Sequence, residues 1–304
     1  MDYCWQRARS SAIRQMGWSL FSPPILSAST DSHHRDWCIP EDEEAHWILR
    51  HLDEAPAPLE TYLSSRGDRR LGARFEALWR FFLDRHSHYR VLGANIQISN
   101  GSRTLGGLDF LIEDSHRDLV VHLELAVKFY LFEPDVRADG FEQWIGPNPD
   151  DSLGGKFSHL MRHQLPLSAL PETTRTLRSR GLPLPDCRVA IMKGYLFAPL
   201  AGAPPLCEPI NPLHLRGTWL SGANVDVLND LMPGARWGVL DKNQWLDPEP
   251  ALPLSFGSLK SRLCNALHAA SDPLMVQAAL DGRGRRFFIV PAAWRGQRAR
   301  PDQA

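Results

Sequence analysis

Four ionisable residues have the types and spacing that metal-dependent phosphodiester hydrolysis requires: Glu76, Asp109, Glu124 and Lys128. This chemistry needs oxygen ligands for a hard cation, an activated water molecule and positive charge near the phosphorus. Asp109 and Glu124 are predicted to bind Mg²⁺ or Mn²⁺. Lys128 is predicted to position the water or stabilise the transition state, and Glu76 to be an auxiliary catalytic carboxylate.

Residues 119–131 carry two of these four residues, Glu124 and Lys128, on one predicted strand. The odd positions are all apolar, whereas the even positions include His122, Glu124 and Lys128. Because successive side chains of a strand point to opposite faces, this pattern predicts one apolar face and one ionisable face. A strand with one face in water gives the same alternation. The length of the segment and Ala126 on its polar face favour a central strand instead.

The neighbouring elements are predicted to place the other carboxylates beside this strand. Glu76 falls in a predicted helix at 71–83, and a hairpin with Asn100-Gly101 at its turn joins strands at 91–99 and 103–113. A helix at 153–165, capped by 150–152, and a strand at 188–197 follow. The order predicts an α/β or α+β fold, with a mixed central sheet flanked by helices.

Composition indicates a globular chain and sets limits on its partners. The 304 residues are 43% hydrophobic, and 34 basic against 35 acidic residues leave a net charge of -1. Nucleic acid would therefore have to bind through local basic patches, with candidates at 175–180, 283–286 and 295–300. The five scattered cysteines favour a cytoplasmic protein, and no apolar run is long enough to predict a membrane partner.

Several segments resemble a bacterial family of domains of unknown function, numbered 1853, which is grouped with the PD-(D/E)XK nuclease-like superfamily. The segments are 71–76, 104–111, 122–131, 144–148, Lys156, 163–165 and 194–197. The resemblance implies a restriction-endonuclease-like core of four strands flanked by helices. It places Asp109, Glu124 and Lys128 at the active-site positions, with Glu76 as the helix carboxylate.

The predicted domain organisation follows this resemblance. Residues 1–68 are expected to form a helical N-terminal arm, and 69–200 the nuclease-like core. Residues 201–296 are expected to be a C-terminal extension that packs on the core, and 297–304 a disordered tail.

One position departs from the superfamily pattern. The usual motif has its acidic residue two positions before the lysine, where this chain has Ala126. Glu124 lies four positions before Lys128, which separates the two by about 13 Å along a regular strand. Either the strand bulges there, or Glu124 and Lys128 do not meet at one metal ion.

Two hypotheses therefore stay open. The first is a Mg²⁺-dependent nuclease-like enzyme; the second is a nuclease-like fold that has lost catalysis and acts as a binding or interaction module. Ordinary structural roles compete for each residue, such as a helix salt bridge from Glu76 to Arg80 and a buried network of Glu124 with Asp109 or Lys128. Lys156, His159 and His163 share a predicted helix face that would contact either phosphate or solvent. The chain lacks HExxH, GxSxG and P-loop motifs.

Overall fold

The computed structural model describes residues 4–27, 37–134, 140–202, 204–205, 207–269, 272–292 and 294. The predicted tail at 297–304 and the basic cluster at 295–300 lie outside these residues. Among the helices that the structure describes, none is both long and apolar enough to cross a membrane.

The described chain contains both helices and strands, and the predicted α+β class is confirmed. The strands are β1 Tyr89–Ser99, β2 Thr104–Asp114, β3 Leu119–Phe132, β4 Trp144–Ile145, β5 Cys187–Pro199, β6 Leu215–Ser221, β7 Arg236–Leu240, β8 Leu274–Leu280 and β9 Arg283–Val290. They hydrogen-bond in the order β1-β2-β3-β5-β6-β9-β8-β7, with β4 on β3. The sheet is mixed, because β6 runs parallel to β5 and β9 whereas β1–β2, β2–β3, β7–β8 and β8–β9 are antiparallel.

The chain divides into two compact units. The first contains Met1–Val127, Lys156–Lys193 and Glu208–Leu213, and the second contains Lys128–Gly155, Gly194–Cys207 and His214–Ala304. The boundary falls within β3 and within β5, so each of these strands contributes residues to both units.

Helices build the first part of the first unit: α1 Ser11–Phe21, α2 Glu43–Glu54, α3 Ala57–Ser64 and α4 Leu71–Leu83. The bounds of α4 are those predicted from its apolar stripe, and Phe75, Leu78 and Phe82 are fully buried. The indole of Trp79 donates to the Ser19 carbonyl at 3.2 Å, which ties α4 to α1. Glu76 is thereby carried on a rigid helix whose opposite side is core.

The predicted hairpin and central strand follow α4. β1 and β2 pair around the Asn100-Gly101 turn, and β2 pairs with β3 from Phe110 opposite Leu123 to Asp114 opposite Leu119. From Val121 to Ala126 every residue of β3 is buried. This excludes a strand with one face in water, so the even-numbered ionisable residues of this stretch are interior groups.

The predicted helix at 153–165 is interrupted. α5 spans Leu153–His159, a π turn follows at Leu160–Gln164, and α6 is a single turn at Leu165–Leu167. The Leu165 N–H reaches back five residues to the Leu160 carbonyl. Pro166 has no N–H to continue an α-helical ladder, which accounts for the change of pitch at this position.

Two prolines lie in the first turns of helices. α2 ends at Glu54 and α3 begins at Ala57, with Pro58 in the first turn of α3, where it costs no hydrogen bond. Pro171 likewise begins α7 Pro171–Ser179, which the helical pattern did not predict.

The second unit has a core of its own. It contains β6–β9, α8 Val227–Leu231 and α9 Phe256–Ala269. Trp237, Leu259, Val276 and Phe287 are fully buried in one apolar cluster. β8 was not predicted, because its nearly continuous apolar run lacks the alternation by which a half-buried strand is recognised.

Candidate active site

Asp109 and Glu124 meet where the backbone pairing of β2 and β3 stops. The last paired residues are Phe110 and Leu123, so Asp109 and Glu124 come next on the two strands. The Asp109 N–H donates to Glu124 Oε1 at 3.2 Å, and the Leu125 N–H donates to Asp109 Oδ2 at 3.0 Å. Each carboxylate thus takes the place of a backbone acceptor on the opposite strand. Both side chains are fixed by the strands themselves.

Glu124 is also fixed by two side chains. It is 1% exposed. His122 Nε2 lies 2.7 Å from Oε1, and the Gln164 amide donates to Oε2. His122 is two residues away on the same strand, hence on the same face. Its Nδ1 is buried and has no hydrogen-bond partner among the described residues.

Like charges surround Asp109. Burial, followed by the charge of Glu124 and then that of Glu76, raises the pKa of Asp109 to about 7, while the Leu125 N–H and Lys156 act in the opposite direction. Burial and Glu124 also raise the pKa of Glu76, on α4. The structure therefore brings three predicted site residues, Glu76, Asp109 and Glu124, into one electrostatic cluster. We call these three residues the carboxylate cluster.

Gln164 links a lysine to this cluster. Its side-chain oxygen accepts from Lys156 Nζ at 2.7 Å, while its nitrogen donates to Glu124. Lys156 is half-buried and is not part of a solvated helix face. The contact of Gln164 with Glu124 could not be predicted from sequence patterns, because the position of Gln164 depends on the π turn. Both Lys156 and Gln164, however, lie in segments that resemble the known family.

Lys128 lies in the second unit. Its Nζ donates to Asp151 Oδ2 at 2.6 Å, and the Tyr130 hydroxyl lies 3.4 Å from Asp151 Oδ1. Lys128 was expected to lie beside Asp109 and Glu124. In the structure its contact is instead this ion pair with Asp151. The predicted cap of α5 is present, because Ser152 Oγ accepts from the Gly155 N–H.

A cavity of about 640 Å³ borders the carboxylate cluster in the first unit. Glu76 forms part of its wall, as does Phe110, which adjoins Asp109. Asn95 also lines it and has a positive φ of 51°, which is uncommon for a residue other than glycine. The pairs on either side of Asn95 in the β1–β2 ladder place it opposite Asp109.

The donor set of the cluster fits a hard cation. Mg²⁺ prefers oxygen ligands and is commonly held by one or two carboxylates, with water and substrate phosphate completing its coordination. Asp109 and Glu124 provide two carboxylates whose mutual repulsion a cation would relieve. Among the described residues, no group of three or more His, Cys, Asp or Glu side chains is arranged to hold a metal ion. The fit is therefore to a two-carboxylate site.

Two of the predicted basic patches can be compared with the structure. Arg175 forms an ion pair with Glu172, and Arg178 and Arg180 are exposed. In the patch at 283–286, Arg286 is only 4% exposed, and its guanidinium donates to Gln277 Oε1 at 2.9 Å. Its other donors are used by the carbonyls of Trp245 and Asp247. Arg286 is thus a structural residue of the second unit.

Comparison with known proteins gives one match. The family model described as Domain of unknown function (DUF1853) matches residues 14–290, a range that includes every residue of the candidate site. No curated protein and no solved structure matches the chain. Because the family model covers most of the sequence, the chain belongs to the DUF1853 family.

Proposed function

We propose that this protein is a metal-dependent phosphodiesterase that acts on nucleic acid. The observation that carries the proposal is the pair of the partly buried Asp109 and the buried Glu124, two carboxylates held against each other at the end of the β2–β3 ladder. Interior carboxylates are rare unless they are paired with a positive charge or bind a metal ion. Groups with strongly shifted pKa values also gather at functional sites.

In this proposal the residues of the cluster have separate tasks. Asp109 and Glu124 would hold Mg²⁺ or Mn²⁺, which as a bound ion supplies Lewis-acid activation of the phosphate and a more acidic water molecule. Gln164 and His122 keep the Glu124 carboxylate in one orientation. Glu76, whose pKa is raised by burial and by Glu124, is the auxiliary carboxylate and keeps its proton to a higher pH than an exposed glutamate does.

Lys156 is the lysine that we assign to the site. Its charge acts on Asp109, and its Nζ is held by the same Gln164 that holds Glu124. A lysine in this place stabilises negative charge that develops on a phosphate near the carboxylates. Lys128, the lysine expected from the sequence, remains a candidate for the same role, and Lys128→Met should then lower cleavage as Lys156→Met does.

The relation to the PD-(D/E)XK superfamily and its restriction-endonuclease-like core belongs to this proposal. It is supported by the succession along the chain of α4, hairpin β1–β2, long strand β3, α5 and β5. The positions of Asp109 on β2 and Glu124 on β3 are those that the resemblance implies. Ala126, 8% exposed on β3, remains the departure from the usual motif.

The test is a cleavage assay with purified protein, DNA or RNA, and Mg²⁺ or Mn²⁺. We expect cleavage by the wild type, loss of at least about a hundredfold in Asp109→Asn, and a comparable loss in Lys156→Met. Glu113→Gln is the matched control, because Glu113 is a carboxylate of the same strand that pairs with Arg90 at the surface. Cleavage that persists in Asp109→Asn would assign the activity to another site or to a contaminant.

A binding module without catalysis is the second candidate. It is favoured by Ala126 at the usual acidic position and by the lack of a cluster of three metal-binding side chains among the described residues. This candidate predicts that an oligonucleotide binds in the presence and absence of Mg²⁺ with equal affinity and is recovered intact. Cleavage that depends on Asp109 excludes it.

A further inference from the structure

We propose that the cavity beside the carboxylate cluster binds one phosphate-bearing nucleotide of the nucleic-acid strand. The inference rests on the proposed function, since it names the part of the nucleic-acid substrate that binds in this cavity. The cavity lies in the first unit, between the start of α4 and strands β1 and β2. Its volume of about 640 Å³ is in the range of pockets that hold small ligands, about 300–1,000 Å³.

Three arginines give the cavity the chemistry of a phosphate site. Arg66, Arg70 and Arg80 line it, together with the acidic side chains of Asp68 and Glu76. A guanidinium carries five N–H donors in a planar fork that matches a phosphate. The contacts of these arginines within the protein use only some of the donors, as with Arg80 Nε, which donates to Asp84 at 2.7 Å.

Arg66 also stacks on an aromatic ring, which orients its guanidinium for a phosphate. Its guanidinium carbon lies 4.7 Å from the centre of the Tyr62 ring, and a terminal nitrogen donates to the Tyr62 hydroxyl. Such stacking leaves the edge of the guanidinium available for an anion. Arg66 therefore supplies a preoriented donor at one end of the cavity.

Asn95 supplies an amide to the lining of the cavity. It is exposed, lines the cavity and lies opposite Asp109 in the β1–β2 register. Its positive φ costs free energy that a glycine at this position would not incur, and such strain is found preferentially at functional sites. An amide can donate to a phosphate or pair with the edge of a base, which suits a nucleotide better than free phosphate.

The cavity and the carboxylate cluster share Glu76. This residue lines the cavity, and its pKa responds to Glu124 on one side and to Arg70 on the other. A nucleotide in the cavity would accordingly place its neighbouring phosphodiester toward Asp109 and Glu124.

The test measures binding without cleavage. The full-length protein is titrated calorimetrically, in a buffer containing EDTA, against thymidine that carries a 5′ phosphate, a 3′ phosphate or none. We expect one of the phosphorylated forms to bind at least about fivefold more tightly than the unphosphorylated form at low salt. Equal binding of all three forms would overturn the proposal.

Variants locate the binding in the cavity. Arg66→Gln is expected to abolish the preference for phosphate, and Asn95→Gly to weaken binding at least about threefold without lowering the melting temperature, because glycine accepts the positive φ. Arg90→Gln is the control, an exposed arginine of β1 whose partner is Glu113. A preference that survives in Arg66→Gln, or is lost equally in Arg90→Gln, contradicts the proposal.

The outcome is independent of the cleavage assay. Phosphate-dependent binding in a protein that does not cleave would retain the cavity as a nucleotide site and reject the phosphodiesterase. Cleavage that depends on Asp109, without phosphate-dependent binding, would reject the nucleotide site and retain the phosphodiesterase.

Discussion

Two carboxylates that repel each other are kept together by hydrogen bonds from the backbone. Asp109 and Glu124 each accept an N–H of the opposite strand, and Glu124 also has Gln164. These contacts offset part of the cost of burying like charges, but the pKa of Asp109 still rises to about 7. Two like charges held this close are consistent with a cation as their partner.

The raised pKa makes a prediction about stability. Since Asp109 binds its proton more tightly in the folded than in the unfolded protein, its contribution is fully present below pH 4 and is lost as the pH rises to about 7. In EDTA, Asp109→Asn should therefore gain unfolding free energy relative to the wild type between pH 5 and pH 8, by about 1–3 kcal/mol. Urea unfolding at the two pH values measures the difference.

Glu113→Gln is the control for this prediction, and its difference from the wild type should stay constant between pH 5 and pH 8. Arg90 lowers the pKa of Glu113, so the contribution of Glu113 is present at neutral pH and is lost in acid. A difference between wild type and Asp109→Asn that does not change with pH would show that Asp109 is not destabilised by its surroundings.

The assignment of Lys156 makes a second prediction at the scale of residues. Because the charge of Lys156 lowers the pKa of Asp109, Lys156→Met should raise that pKa further, by up to about one unit. Lys128→Met should leave it unchanged, since the partner of Lys128 is Asp151. The pKa is measured from the carboxyl ¹³C shift of Asp109. If Lys128→Met changes the pKa of Asp109 and Lys156→Met does not, the site lysine is Lys128.

At the scale of elements, periodicity predicted the parts that position the carboxylates. The bounds of α4 and the extent of β3 followed from their apolar patterns, and the hairpin followed from Asn100-Gly101. These signals are local in sequence. The Asp109–Glu124 pair was expected because β2 and β3 are adjacent. Strands joined in succession by a tight turn and a short connection almost always pair with each other.

What the sequence could not predict depends on contacts that are distant in the chain. The hydrogen bond from Gln164 to Glu124 joins residues 40 positions apart and depends on the π turn that Pro166 imposes. The ion pair of Lys128 with Asp151 depends on how the loop before α5 folds. Neither contact leaves a periodic pattern, so the assignment of lysines was the least predictable feature of the site.

The parallel pairing of β5 and β6 can be tested through one glycine. Gly217 lies opposite Phe197, and a Cβ at this position would come within 2.2 Å of the buried Phe197 ring. Gly217→Ala should therefore lower the unfolding free energy by about 1–3 kcal/mol. Gly257→Ala is the control, because nothing lies within 4 Å of its Cβ position. Equal stability of the two variants would contradict the register of β5 and β6.

At the scale of the whole molecule, the residues of the proposed site all lie in the first unit. The carboxylate cluster, Gln164, Lys156 and the cavity with its three arginines all belong to it. With a net charge of -1, the chain as a whole does not attract nucleic acid, so the local positive charge of the arginines would provide the attraction. The second unit has a separate apolar core, in which even Arg286 has a structural role.

The central claim is that Asp109 and Glu124 form a divalent-metal site, and calorimetric titration with Mn²⁺ tests it most directly. We expect the wild type to bind Mn²⁺ more tightly at pH 8 than at pH 6, because the pKa of Asp109 is about 7 and only the ionised carboxyl binds the metal. Glu113→Gln should bind equally well, and Asp109→Asn should release no binding heat. Wild-type protein that releases no heat, or binding that survives in Asp109→Asn, would contradict the claim.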